Sequence, residues 1–139
     1  MGKYGLAAVR AAERLSQPGT EESPREAWNS AVRDEFPHSE SSQKKGCPRD
    51  AFLSLCEMGL LKNVPKGDYT RSVENKNYTI DAIKLLKKYP QLLKPENEKE
   101  LWRMVTDGSS KTPNHQMEVI TTLWREGLLR GAIGEHNIV

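Results

Sequence analysis

The sequence has few cysteines, little net charge and no long apolar runs, and each shortage excludes a class of protein or weakens the case for one. Two cysteines, Cys47 and Cys56, are too few for the disulfide framework of a small secreted domain. The net charge of +2, from 21 basic and 19 acidic residues, falls short of the basic excess usual in nucleic-acid-binding domains. The apolar run at residues 6–9 is broken by Arg10, and no run is long enough to span a bilayer. We therefore expect a cytoplasmic protein with neither an export signal nor a membrane anchor.

The chain also lacks the short motifs that most often mark an active site. It contains no Gly-x-Gly-x-x-Gly, no phosphate-binding loop and no Gly-x-Ser-x-Gly. Its side chains that could bind a metal show neither paired-cysteine nor His-x-x-x-His spacing, so we expect no metal and no cofactor. These side chains are Cys47, Cys56, His38, His115 and His136.

The composition predicts a single globular domain over residues 1–139. Apolar residues make up 36% of the chain, which is enough for a core, and the 29% of charged residues are nearly balanced in sign, unlike in a disordered chain of high net charge. A chain of this length is expected to bury roughly two-thirds of the surface that its unfolded form exposes.

Helical spacing dominates the apolar pattern. Phe52, Leu55 and Cys56 lie at i, i+3 and i+4 and would share one face of a helix. Gly59 is expected to end this helix, because glycine accepts a left-handed backbone at little steric cost, and Gly127 is expected to end a later one. The whole pattern predicts a mainly α fold of about six helices, with at most a short β-ribbon after residue 61.

The second predicted helix carries a complete start signal. Ser23 is the expected N-cap, Pro24 the first helical residue and Glu26 the second partner of a capping box. Asn97 and Glu100 hold the matching positions later in the chain, so we expect a second box there.

The two halves of the chain correspond in order, which predicts an internal repeat of two three-helix units at residues 4–63 and 78–131. The matching pairs include Tyr4 with Tyr78, Ala8 with Ala82, Trp28 with Trp102 and Gly59 with Gly127. Neither unit has an apolar face large enough to fold alone, so we expect the units to pack on each other. The alternative is two unrelated helical runs that share only helix-boundary residues.

Several side chains that could serve a binding site are expected to be structural. Trp28, Trp102 and Trp124 lie at core spacing, so we interpret them as core and not as stacking platforms. Glu118, like the other carboxylates scattered on the predicted helices, is interpreted as a solvated charge.

Residues 41–72 resemble the recognition helix and wing of winged helix-turn-helix proteins, because a helix ending in Gly-Leu-Leu and a cation precedes a proline-glycine turn. Cations before this helix and on the expected wing are placed to meet phosphate groups, which predicts a site for nucleic acid or another anion. The candidate binding residues are Lys44, Lys45, Arg49, Lys62, Lys66, Tyr69 and Arg71. The alternative is a solvated loop with ordinary lysines.

The segment from Gly67 to Ser72 carries more hydrogen-bonding groups than a linker requires. Tyr69 and Arg71 would line a groove for an anion or a peptide terminus. In the alternative interpretation, the segment caps the following helix and fills the seam between the two units.

Cys47 is the weak catalytic candidate of the chain. We expect it to be the N-cap before Pro48, with Lys44, Lys45 and Arg49 nearby, and such surroundings favour a thiolate. In that case Cys47 would carry a reactive thiol. The alternative is a small side chain at a helix start, because the sequence places no general base beside it.

For function, the sequence favours a non-enzymatic binding or adaptor module with nucleic acid as one possible partner. A small cysteine-dependent enzyme or redox protein is the first alternative. A protein-interaction or homodimer module is the second, and it requires the leucines that follow Gly59 and Gly127 to be exposed.

The middle of the chain resembles a family of short, uncharacterised bacterial conserved proteins. The residues that carry this resemblance are Ser42-Gln43-Lys44-Lys45-Gly46-Cys47-Pro48, Ala51-Phe52-Leu53, Leu55-Cys56, Gly59-Leu60 and Tyr69-Thr70-Arg71-Ser72. The resemblance extends across most of the chain. It implies no activity and transfers no functional residue.

Overall fold

The computed structural model describes residues 2–130, which form six α-helices of eight or more residues and one short helical turn. The α-helical elements are α1 (Lys3–Leu15), α2 (Pro24–Glu35), α3 (Glu40–Gln43), α4 (Gly46–Glu57), α5 (Val73–Lys88), α6 (Glu98–Val105) and α7 (Gln116–Arg125). Two 3-10 turns, Pro90–Leu93 and Pro95–Asn97, connect α5 to α6. The described range contains no sheet, only an isolated antiparallel bridge between Leu61 and Leu129. The predicted mainly α fold of about six helices is confirmed.

The start of α2 is the predicted capping box. The backbone N–H of Glu26 donates to Ser23 Oγ at 3.1 Å, and the backbone N–H of Ser23 donates to Glu26 Oε1 at 2.9 Å. Such a cap stabilises a helix by about 1 kcal/mol. The second predicted box, at Asn97 and Glu100, does not form. Asn97 belongs to a 3-10 turn and its side chain donates back to Gln91 O at 2.7 Å, which leaves Glu100 to pair with Arg103.

Glycine ends α4 and α7 as predicted. Gly59 and Gly127 have φ values of +74° and +73°, in the left-handed region. The N–H of Leu60 donates to Leu55 O and the N–H of Leu128 donates to Leu123 O, each at 3.0 Å. These bonds satisfy carbonyls that the helix itself leaves without a donor.

Helix α4 is the centre of the core. All residues from Ala51 to Cys56 are fully buried, and α4 packs against α2, α5 and α7. The Trp28 and Phe52 rings lie 5.3 Å apart, and Trp102 is also buried, while Trp124 packs half-buried against the core. A helix so enclosed presents little surface to a DNA groove.

Helices of one predicted unit pack against helices of the other. Helix α1 packs on α2 and α7, and α5 packs on α6 and α4. At the ends of α4 and α7, Lys62 N–H donates to Leu128 O at 3.0 Å and Arg130 N–H donates to Leu60 O at 2.6 Å. This reciprocal pairing is the arrangement that two similar units would adopt. The repeat at residues 4–63 and 78–131 stays a prediction, and residue 131 lies outside the described range.

The Gly-Leu-Leu segments face inward. Leu61 and Leu129 are buried, and Leu60 and Leu128 are half-buried against the core. The exposed leucines that an interaction module would require are therefore not present at these positions. None of the described helices has the length and apolar character of a membrane-spanning segment.

Candidate anion-binding site

The first turns of three helices meet at one pocket of about 730 Å³. Arg25 is the second residue of α2, Arg49 is the fourth residue of α4, and Lys76 is the fourth residue of α5. The N-terminus of a helix carries a partial positive charge from its unsatisfied N–H groups. Three cationic side chains and three positive helix ends therefore surround the same space.

The irregular connector after α4 forms the remaining wall. Its lining residues are Asp68, Tyr69, Thr70, Arg71 and Ser72. Residues 62–72 contain no strand, so the short β-ribbon and the wing that the sequence allowed are not formed. Ser72 caps α5 by accepting from Asn75 N–H at 3.2 Å, as one of the two interpretations of this segment expected.

Glu57, near the end of α4, holds the connector in place. Its Oε1 accepts from the backbone N–H groups of Tyr69 at 2.9 Å and Thr70 at 3.2 Å, and its Oε2 lies 2.7 Å from Lys76 Nζ. Burial alone would raise the pKa of Glu57, but the Lys76 ammonium and the two amides outweigh it and hold the pKa below its usual value. The backbone amides of Tyr69 and Thr70 are therefore bound to a carboxylate and not to a second strand.

Tyr69 is fixed at the pocket wall. Its hydroxyl donates to Pro65 O at 2.8 Å, and its ring lies over Gly67, where a Cβ would come within 2.9 Å of the Tyr69 Cζ. Arg25 Nη2 reaches toward Tyr69 O at 3.5 Å, so the connector and the start of α2 approach each other across the pocket.

The pocket has more positive than negative side chains. Arg49 pairs with the neighbouring Asp50 at 3.1 Å, and Lys76 pairs with Glu57. Arg25 and Arg71 are exposed and form no ion pair with any residue between 2 and 130. These two guanidinium groups are therefore available to an anion, and guanidinium groups bind phosphate and carboxylate through paired hydrogen bonds.

Three of the seven predicted binding residues line this pocket. They are Arg49, Tyr69 and Arg71. The other four do not line it. Lys44 pairs with Glu40, Lys45 is the exposed residue that precedes α4, and Lys62 is exposed beside the bridge. The aliphatic part of the Lys66 side chain packs over Gly59, where a Cβ would come within 2.6 Å of the Lys66 Cγ.

Arg25, Lys76 and Asp50 line the pocket but were not singled out from the sequence. Each lies within the first five residues of a helix, and the start signal at Ser23 marked the position of Arg25. The sequence around each of these residues does not indicate that three separate helix starts converge, because that convergence depends on how α2, α4 and α5 pack.

Cys47 is not the N-cap of α4. The helix already begins at Gly46, and Lys45 precedes it with an extended backbone. Cys47 is half-buried in the first turn and does not line the pocket, and its reactivity stays a prediction. Cys56 is fully buried, as the interpretation of it as core expected, and burial raises the pKa of its thiol.

A second, smaller pocket of about 380 Å³ lies at the starts of α6 and α7. Its lining residues are Glu98, Lys99, Trp102, Pro113, His115 and Met117. In the predicted repeat, Lys99 and Met117 hold the positions that correspond to Arg25 and Arg49. Burial and the nearby Glu118 carboxylate raise the pKa of Glu98, so this pocket has a different electrostatic character from the first.

Glu118 is a structural carboxylate beside the second pocket. Its Oε2 accepts from Gly5 N–H in the first turn of α1 at 2.7 Å, and its Oε1 lies 3.1 Å from His115 Nδ1. Its side chain is 15% exposed, so the interpretation of Glu118 as a solvated charge is wrong. The unsatisfied amides at the start of α1 attract the carboxylate.

No group of three or more histidine, cysteine or acidic side chains within residues 2–130 is arranged to hold a metal ion. His136, one of the residues considered from the sequence, lies outside the described range.

Comparison with known proteins identifies the chain at the family level. The model of a family of unknown function, DUF6979, matches residues 1–130. The chain belongs to this family. No curated protein and no solved structure matches the chain. Because the function of DUF6979 is unknown, the chemistry of the pocket is the basis for a functional proposal.

Proposed function

We propose that this member of DUF6979 is a non-enzymatic binding module of the bacterial cytoplasm that holds a small anionic ligand in the pocket between α2, α4 and α5. The observation that carries the proposal is the convergence of four cationic side chains, Arg25, Arg49, Arg71 and Lys76, on one concave site. Of the described cations in this pocket, Arg25 and Arg71 have no carboxylate partner, so a ligand would satisfy them at little cost.

The functional groups in the lining support binding over catalysis. Among its described residues there is no cysteine and no histidine, and the hydroxyls of Thr70 and Ser72 already accept backbone hydrogen bonds from Ser72 and Asn75. An activated nucleophile needs an adjacent base that is free to take its proton. The carboxylates of Asp50 and Asp68 are the remaining ionisable acceptors in the lining.

The pocket can be tested with inorganic phosphate as the probe and isothermal titration calorimetry as the measurement. We expect saturable binding to the unmodified protein. Arg71→Ala should weaken it roughly tenfold or more, because a hydrogen bond to a charged group contributes about 1.5–3 kcal/mol. Arg33→Ala is the matched control, since Arg33 is an exposed arginine on α2 outside the pocket. Equal affinities for the two variants would refute the site.

A phosphate of a nucleic acid is a second candidate for the anion. The observation that favours it is that the lysines before α4 lie close to the pocket. Gly46 directly follows Lys44 and Lys45 in the chain, and the pocket residue Arg49 has its Nη2 3.4 Å from the Cβ position of Gly46. Duplex binding should then weaken steeply as salt rises, because each neutralised phosphate releases counterions. A protein that binds inorganic phosphate but shows no duplex binding at low salt would exclude this candidate alone.

A further inference from the structure

The pocket is much larger than a single phosphate group. Its volume of about 730 Å³ lies within the range of roughly 300–1,000 Å³ that encloses whole small-molecule ligands. A phosphate bound by the cations would occupy one part of this space. The rest of the ligand must then contact the remaining lining groups.

Those remaining groups include two carboxylates. Asp50 Oδ1 is used by Arg49 at 3.1 Å, whereas its Oδ2 has no hydrogen-bond partner within residues 2–130. Asp68 is exposed, and over the same range its side chain makes neither a hydrogen bond nor an ion pair. An ionised carboxylate only accepts hydrogen bonds, and it repels a neighbouring anion. A ligand that fits both sets of groups therefore carries an anionic end together with hydrogen-bond donors.

The lining argues against a large apolar or flat aromatic part. The described lining residues include no aliphatic side chain and one aromatic side chain, Tyr69. The Tyr69 ring already packs over Gly67, and its hydroxyl is bound to Pro65 O. Nucleotide bases are usually held by stacking on aromatic side chains, and the described lining residues supply no second ring for such stacking.

Building on the anion-binding function proposed above, we infer that the ligand is a phosphorylated sugar or polyol. The phosphate contacts Arg25, Arg49, Arg71 and Lys76, and the hydroxyl groups of the ligand donate to Asp50 and Asp68. The hydroxyl groups of the ligand would thus use Asp50 Oδ2 and the Asp68 carboxylate, which make no hydrogen bond within residues 2–130.

A calorimetric comparison of ligands separates this inference from the function on which it rests. The probes are glucose 6-phosphate, ribose 5-phosphate, glycerol 3-phosphate, inorganic phosphate, AMP and glucose. We expect at least one of the three phosphate esters to bind about tenfold more tightly than inorganic phosphate or AMP, and glucose alone to show no binding. If inorganic phosphate binds and no ester binds more tightly, the inference is wrong and the anion site stands. If neither inorganic phosphate nor any ester binds, both are wrong.

Asp68→Ala gives an independent readout. Removing this carboxylate should weaken the best phosphate ester by roughly threefold to tenfold, the loss expected for one hydrogen bond, while inorganic phosphate binds equally or more tightly. Asp81→Ala is the control, because Asp81 is an exposed aspartate on α5 outside the pocket. Tighter or unchanged binding of both the ester and inorganic phosphate to the Asp68 variant would overturn the assignment of hydroxyl groups to Asp68.

Discussion

The two pockets stand at helix starts that correspond in the predicted repeat, and we propose a site for an external anion only at the first. The first has Arg25 and Arg49 where the second has Lys99 and Met117. Beside the second pocket, Glu118 already binds an amide at the start of α1. We therefore propose the first pocket as the anion site, because its Arg25 and Arg71 have no carboxylate partner within residues 2–130.

The extra methylene group of a glutamate side chain, relative to aspartate, contributes to this difference. In the predicted repeat, Asp50 holds the position in the first half that Glu118 holds in the second. The longer Glu118 side chain reaches Gly5 N–H at 2.7 Å, whereas Asp50 pairs with the adjacent Arg49 at 3.1 Å. In the first half the start of α5 is capped by the neutral Ser72 hydroxyl instead, and the acidic residue of its first turn, Glu74, is exposed and pairs with Lys111.

Arg49→Met gives the first pocket the residue that the second one has, and should have the largest effect. We expect inorganic phosphate to bind about 10- to 100-fold more weakly, because a charged hydrogen-bond donor is lost. Calorimetric titration measures the change. Lys45→Met is the matched control, since it removes a nearby cation that does not line the pocket. Similar losses in the two variants would show that general surface charge, and not the pocket, attracts the anion.

Glu57→Gln tests the carboxylate that positions the connector. The variant should lose about 1–2 kcal/mol of unfolding free energy at pH 7, because the ionic bond to Lys76 and the charge-assisted bonds to two amides are weakened. The pKa of Glu57 is lower in the folded protein, so its contribution is complete above the usual glutamate pKa and is lost as pH falls through the folded value.

Urea unfolding of the Glu57→Gln variant and the parent, followed from pH 7 to pH 3, measures this contribution. The gap between the two curves should begin to close below about pH 4.5, the ordinary value for a glutamate, and should disappear once the pH is below the lower pKa of the folded protein. Glu21→Gln is the control, because Glu21 is exposed and should show no difference at any pH. A stability gap that stays constant over the whole range would contradict the role of the ionised carboxylate.

Gly59→Ala and Gly127→Ala compare the two matching helix ends. Both glycines have positive φ, so an added Cβ should cost about 1 kcal/mol at each position. At Gly59 the Cβ would also meet Lys66 Cγ at 2.6 Å, whereas at Gly127 nothing lies within 4 Å. We therefore expect the Gly59 variant to have the lower melting temperature, and the reverse order would show that the packing of Lys66 over Gly59 is misassigned.

Glu118→Gln should have the smallest effect. The charge of this carboxylate at the start of α1 contributes about 0.3–1 kcal/mol, and its loss should lower the melting temperature slightly. Phosphate binding should not change, because Glu118 lies outside the first pocket. A change in phosphate affinity equal to that of Arg49→Met would mean that the two regions are coupled.

The sequence predicted several local features because their signals lie within a few residues, although the second capping box and the N-cap at Cys47 did not form. The capping box at Ser23 and Glu26 and the glycine at the end of α4 depend only on neighbouring residues, and both are present. The candidate site was predicted only in part. Arg25 and Tyr69 are 44 residues apart in the chain, and Glu57 binds the backbone amide of Tyr69 in the connector. Neither contact is signalled by the residues next to it in the sequence.

The most direct test of the central claim is a titration of ¹⁵N-labelled protein with inorganic phosphate, followed by NMR. The account predicts saturable shifts for the backbone amides of Arg25, Arg49 and residues 70–76, with little change at Lys99 and Met117 in the second pocket. Shifts of equal size at both pockets, or no saturable shift at the first, would contradict the assignment of the anion site to the starts of α2, α4 and α5.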